Sequence, residues 1–213
     1  MNDKVASIKE KPNRKEQRRM ETRGKLLNSA LILVIEKGID NTSMTDITEH
    51  ANLGRRTFYY HFAGKDECLV IALAGVYQNI AIEAAIQPVP DQDPAKVVAI
   101  SMQHVLGKII VSDITQRFLE RPKLLRHALQ LSIGSFIAND VKVGIEKSRF
   151  FPPITGKLLE DILMGMLALL ISETGKNSED IPLEIKGLTQ MFLMMLGVER
   201  AEAEVVVEES LSL

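Results

Sequence analysis

Three observations predict an all-α fold in two unequal helical parts. Apolar residues recur at three- and four-residue spacing, and no stretch alternates apolar and polar side chains for long enough to form a strand. Leu, Ile, Ala and Met supply the apolar volume while aromatics make up 5% and Trp is absent, a mixture that favours helices. Proline clusters, QPVPDQDP at 87–94 and FFPP at 150–153, cut the periodic stretches into helix-sized lengths. With 213 residues, 46% of them hydrophobic and 25% charged, the chain can bury a substantial core in one or two domains.

Met1 to Pro12 lacks apolar periodicity and reads as a disordered basic arm. From Asn13 the basic segment NRKEQRRMETRGK runs into an apolar stripe, Leu26, Leu27, Ala30, Leu33 and Val34, so a first helix ends at Gly38. The cations at its start either lie over phosphates or simply solvate a frayed end. Ser43 and Asp46 have capping-box spacing, and Met44, Ile47 and Ala51 continue at helical spacing. Asn52-Leu53-Gly54 breaks this helix, because Asn tolerates a left-handed backbone and Gly54 can serve as the next N-cap. Arg55 to Phe62 makes a further short helix with Phe58 and Phe62 on one face and Arg56, Tyr59 and Tyr60 pointing the other way. Two short helices joined by a three-residue turn describe a helix-turn-helix. Aromatics left exposed beside two arginines mark a contact surface. Guanidinium groups pair with guanine edges, and Tyr and Thr hydroxyls bond phosphates or bases.

The succession TRGKLLNSALILVIEKG, TSMTDI, TFYYHF and a Lys three residues after Phe62 resembles the DNA-binding region of the TetR family of transcriptional regulators over residues 19 to 70. The resemblance implies a bacterial repressor that binds a double-stranded DNA operator as a homodimer and is released by a small-molecule effector. Arg55, Arg56, Thr57 and Tyr59 would then enter the major groove. Tyr60, His61, Lys65, Ser43 and Thr45 would line the phosphates. The sequence departs from the family pattern at three places. Asn52 replaces a usual Gly, Gly54 replaces a usual Ser or Thr and so loses a hydroxyl contact, and Arg56 stands where a small residue is common.

Charge agrees with this division. Residues 1–65 hold 13 Lys and Arg against 8 Asp and Glu, net +5, whereas residues 66–213 hold 13 against 20, net −7. The sequence divides into a helix-turn-helix domain at 13–65, a ligand-binding and dimerisation domain at 66–200, and an acidic tail at 201–213 that forms a short helix or is disordered. Helices are expected from Gly64 to Ile86, from the Asp93-Pro94 start to Val111, from Ser112 to Arg121, from Pro122 to Arg149 with a bend near Gly134, from Ile154 to Thr174 and from Leu183 to Leu196.

The family resemblance places an effector cavity in the helices after Lys65. Met102, Leu106, Phe118 and Phe136 are its apolar candidates, and Gln103, His104, Gln116 and Arg117 its polar ones, each equally open to a surface or a satisfied core reading, so a mainly hydrophobic small molecule fits best. The segments LLEDILMGMLALLI and LTQMFLMML are apolar on most of their circumference and call for burial against a second copy. Leu159, Ile162, Leu163, Met166, Leu167 and Leu170 would supply one helix of that interface, and Met191, Phe192 and Met195 the other.

Other function classes find little support. The lone Cys68 excludes an internal disulfide and reads as core packing, and the four His residues, at 50, 61, 104 and 127, lack metal-ligand spacing. No nucleophile motif or phosphate loop is present, so neither an enzyme nor a cofactor is expected. A ligand-blind, dimeric DNA-binding protein remains the alternative. The N-terminus lacks the apolar segment of a secretory signal, and the longest apolar run, Ile162 to Ile171, is ten residues. Together these predict a cytoplasmic protein that does not enter the membrane.

Overall fold

Asn13 opens the first helix, and its side chain accepts hydrogen bonds from the N–H groups of Lys15 and Glu16 while Glu16 reaches back to the Asn13 N–H. In a computed structural model that describes residues 13–85, 93–153, 157–173 and 180–210, every regular element is a helix. The basic arm at 1–12, most of the break at 87–94, and the helix ends expected at Ile86, Ile154 and Thr174 lie outside the described residues. Three helices form the N-terminal part: α1 (Arg14–Lys37), α2 (Met44–His50) and α3 (Arg55–His61). Gly38 ends α1 at φ +82°, a conformation that L side chains rarely adopt. The buried stripe of α1, Leu26, Ala30, Leu33 and Val34, belongs to the same core as Ile47, Phe58 and Phe62.

The larger part is built on α4 (Lys65–Ala85), which packs against α1, α5 (Pro94–Ile110) and α7 (Pro122–Ser132). By length and a mean hydropathy of 1.6, α4 could cross a membrane, which an unbroken-run criterion does not detect. Its Leu69, Leu73 and Tyr77 are instead buried in the core, so it is the central helix of this body. Between α5 and α7 lies the short α6 (Asp113–Phe118).

The stretch expected to form one bent helix from Pro122 to Arg149 is two helices, α7 and α8 (Gly134–Glu146), meeting at Ile133. Ser132 Oγ donates to the Ala128 carbonyl at 2.6 Å, a back-bond that bends helices, and Gly134 follows with its low helix propensity. The body is completed by α9 (Lys157–Glu173), α10 (Ile181–Met195) and α11 (Arg200–Ser210).

The acidic segment after residue 200 is helical, and it docks on α5 and α10. Its own Ala203, Val206 and Val207 are buried, and Glu209 meets Lys96 at 2.5 Å while Glu208 pairs with Lys186. Arg149 ties three elements together: Nε donates to Asp93 Oδ1 at 2.6 Å, and Nη2 donates to Asp93 Oδ2 at 2.9 Å and to Glu202 Oε1 at 2.7 Å. The bidentate fork holds the Asp93 carboxyl below its ordinary range.

Candidate nucleic-acid interface

Ser43 starts α2 with a reciprocal cap. Its Oγ accepts from the Asp46 N–H at 3.1 Å, and its own N–H donates to Asp46 Oδ2 at 2.6 Å. Lys37 Nζ, in the last turn of α1, lies 3.0 Å from Asp46 Oδ1 and so joins the end of α1 to the start of α2. The Ser43 hydroxyl and N–H, with the Lys37 ammonium, hold the Asp46 carboxyl down at about 2. In the turn that follows, Asn52 adopts φ +53° and the Leu53 N–H donates to the Thr48 carbonyl at 2.9 Å.

Helix α3 has two faces. Phe58 and Phe62 are buried with ring centroids 5.5 Å apart, whereas Tyr59 and Tyr60 are 60% and 64% exposed. Arg55 and Arg56 are also exposed, and Thr57 is half-buried. Arg55 Nη2 donates to Thr45 Oγ1 at 2.7 Å, fixing a guanidinium at the start of α3 over the start of α2. Arg55, Arg56, Tyr59, Tyr60 and Thr45 thus belong to one continuous donor-rich region with a rigid apolar backing.

His61 and Lys65 are more constrained than their exposed neighbours. His61 is half-buried with Nδ1 lacking a hydrogen-bond partner; burial, then Arg19 and Arg23, lower its pKa and favour the neutral ring. Lys65 Nζ donates to the Ile39 carbonyl at 3.1 Å, which leaves two of its three protons for another acceptor. Arg19 stacks over the Tyr60 ring at 5.5 Å and Arg23 over the Phe62 ring at 5.1 Å. These two contacts were missed from the sequence; their signal is the four-residue spacing of the arginines on α1. Cys68 is buried and its thiol is pushed up to about 12 by desolvation, so it is held as the unreactive thiol.

The effector candidates separate on inspection. Met102, Leu106 and Phe118 are buried, and Phe136 is half-buried against the same core. His104 and Arg117 are exposed, each on the solvent side of its helix, which is the surface alternative that the sequence left open for them. Gln103 is committed to the C-terminal helix, its Nε2 donating to Ser210 Oγ at 2.5 Å and to the Val207 carbonyl at 3.3 Å. Gln116 Nε2 donates to the Ile110 carbonyl at 2.9 Å and so caps the end of α5. The buried polar pair that sequence reasoning overlooked is Tyr77 with Thr115, whose hydroxyls lie 2.9 Å apart between α4 and α6. Its signal was present, since Tyr77 continues the buried row of Leu69 and Leu73 at four-residue steps. A separate cleft of about 540 Å³ opens between the two parts of the chain, lined by Ile39, Lys65, Asp66 and residues 120–124. Arg121 pairs with Asp40 there, its Nε donating to Oδ1 at 3.1 Å.

The interface candidates also separate. Leu159, Leu163, Leu167 and Phe192 are buried in the chain's own core, against the expectation that a second copy covers them, because α7 and α8 already pack on α9 and α5 packs on α10. Ile162, Met166, Leu170 and Met195 are half-buried and Met191 is exposed. The outward apolar stripes run through Leu158, Ile162, Gly165 and Leu169 on α9 and through Leu183, Met191 and Met194 on α10. Among the described residues no group of three His, Cys, Asp or Glu side chains is placed to hold a metal ion.

Comparison with known proteins agrees with this geometry. The sequence profile of bacterial regulatory proteins of the tetR family matches residues 26–71. The HTH-type transcriptional regulator UidR of Escherichia coli K12 is 24% identical over 163 residues, covering 71% of this chain and 83% of UidR. The HTH-type transcriptional regulator TcmR of Streptomyces glaucescens is 24% identical over 98 residues, and that match spans only 43% of TcmR's length. Among solved structures, RolR in complex with resorcinol superposes with a TM-score of 0.75 at 27% identity, over 90% of this chain and 95% of RolR.

Proposed function

We propose that the chain, whose residues 26–71 match the profile of the TetR family of bacterial transcriptional regulators, is a repressor of that family that leaves its operator when it binds a small, mainly apolar molecule. The observation that carries this reading is the two-faced α3, with Phe58 and Phe62 buried and Arg55, Arg56, Tyr59 and Tyr60 presented outward. Two copies would set these helices in successive major grooves of a palindromic site, where Arg56 reads a base edge and Tyr60 and Lys65 contact phosphate.

The homodimer forms, on this reading, through the outward stripes of α9 and α10. Leu169, 61% exposed, and Met191, 55% exposed, are large apolar groups that a second copy would cover, and Gly165 leaves room for close helix approach. Support for the effector class comes from the apolar body around Met102, Leu106 and Phe118, from its buried Tyr77–Thr115 pair, and from RolR, which binds resorcinol. A ligand among these helices releases DNA by favouring a dimer in which the two α3 helices no longer match the grooves.

The test is to capture genomic fragments on purified protein, identify the bound operator, and titrate the complex with resorcinol and related phenols. A molecule that raises the melting temperature and lowers operator affinity together supports the proposal, as linkage requires of one coupled equilibrium. Stabilisation with operator affinity unchanged would point instead to a ligand-blind DNA-binding protein.

A further inference from the structure

The matched family segment begins at Leu26, yet α1 begins twelve residues earlier, at Arg14. Those twelve residues carry Arg14, Lys15, Arg18, Arg19, Arg23 and Lys25 against Glu16 and Glu21, a net +4 out of the +5 of residues 1–65. The excess positive charge of the DNA-binding half is therefore concentrated outside the helix-turn-helix. At 3.6 residues per turn all six cations fall on one half of the helix circumference, with Glu16, Gln17, Met20 and Glu21 on the other. The Asn13–Glu16 capping box closes the first turn, so the cations stand on a defined helix.

The orientation of α1 follows from its two ends. Just past its C-terminus, Asp40 pairs with Arg121 and the Ile39 carbonyl accepts from Lys65, so that end abuts the larger body. At 1.5 Å per residue its 24 residues extend about 36 Å, which puts the N-terminal turns on the side away from that body. On the way they pass the end of α3, where Arg19 covers Tyr60 and Arg23 covers Phe62. Residues 14–21 are all exposed. The cationic half of α1 and the outward face of α3 thus form one surface, joined at Arg19 and Tyr60.

We propose that the first three turns of α1 are a second DNA-contacting element, which holds the phosphate backbone beside the major groove occupied by α3. The inference rests on the DNA-binding function proposed above. Arg14, Lys15 and Arg18 supply phosphate contacts, and Arg19 seats the Tyr60 ring. Such contacts position the protein and carry no base information.

The test uses the full chain on its captured operator and on a random duplex, with affinity measured across a salt series. The variant R14Q/K15Q/R18Q removes three charges from exposed helical positions and should fold as wild type, which circular dichroism checks. Its log K against log salt should lose a slope of about 2–3 per protomer, at close to 0.9 per phosphate contact. The loss should be alike on both duplexes, and R14K/R18K should retain the wild-type slope. A triple variant with wild-type affinity and slope would overturn the proposal, and so would an altered base preference with the slope intact. A wild-type chain that binds neither duplex would instead refute the underlying DNA-binding function.

Discussion

At the scale of single residues, the start of α2 depends on one carboxylate. Asp46 has a folded pKa of about 2 against an ordinary 3.8, so the folded state favours its charged form. Its contribution to stability is fully present above pH 4, and it is lost as pH falls from there through the folded value. Unfolding followed by circular dichroism should show this acid-side loss in the wild type and a shallower one in Asp46→Asn; equal slopes would mean the cap does not couple to folding. On the proposed function Arg56 is the residue that reads a base, being exposed on α3. Arg56→Ala is expected to cost about 1–3 kcal/mol per half-site and to relax preference at one base pair. Operator affinity and base preference that both survive this change would remove Arg56 from the reading set.

Between elements, two contacts control how the helices are held. Gly144 of α8 lies flush against the fully buried Phe150, and a Cβ there would overlap the ring. Gly144→Ala is therefore expected to destabilise by about 1–3 kcal/mol through overpacking, measured by urea unfolding. A neutral result would show that the Phe150 loop can move aside. The Asp40–Arg121 pair is an exposed bridge between the helix-turn-helix and the α6–α7 turn, and such pairs contribute little to stability. Its expected role is in coupling. Arg121→Gln should leave the melting temperature nearly unchanged while reducing the factor by which an effector weakens operator binding. An unchanged factor would exclude this contact from the route between the two parts.

At the scale of the whole molecule, the outward stripes of α9 and α10 make assembly the property to measure. Leu169→Glu and Met191→Glu each put a charge on an exposed position, so the monomer should fold as before. Across a dimer interface the same charge carries a desolvation cost. Sedimentation at micromolar concentration is expected to show a dimer for the wild type and monomers for both variants, and a monomeric wild type would remove the interface. Leu193 gives a different result because it is fully buried within one chain, and a charge there would unfold the monomer.

Local chemistry determined most of the N-terminal helix-turn-helix part in the sequence. Ser43 and Asp46 are three residues apart, Asn52 tolerates φ > 0, and Phe58 and Phe62 fall four apart, so caps, turn and buried face were legible from spacing alone. Helical periodicity likewise determined the existence of most helices in the body. Tertiary structure decided which side of a nearly all-apolar helix faces inward. On α9 and α10 periodicity does not distinguish a core position from an outward one, and only packing by α5, α7 and α8 separated Leu163 and Phe192 from Leu169 and Met191. Tertiary structure also decided the fate of long polar side chains. Gln103, His104, Gln116 and Arg117 look alike in sequence, but partners as distant in the chain as Ser210 determine which of them point inward. Such contacts depend on elements remote in sequence being brought together, and no local pattern encodes that.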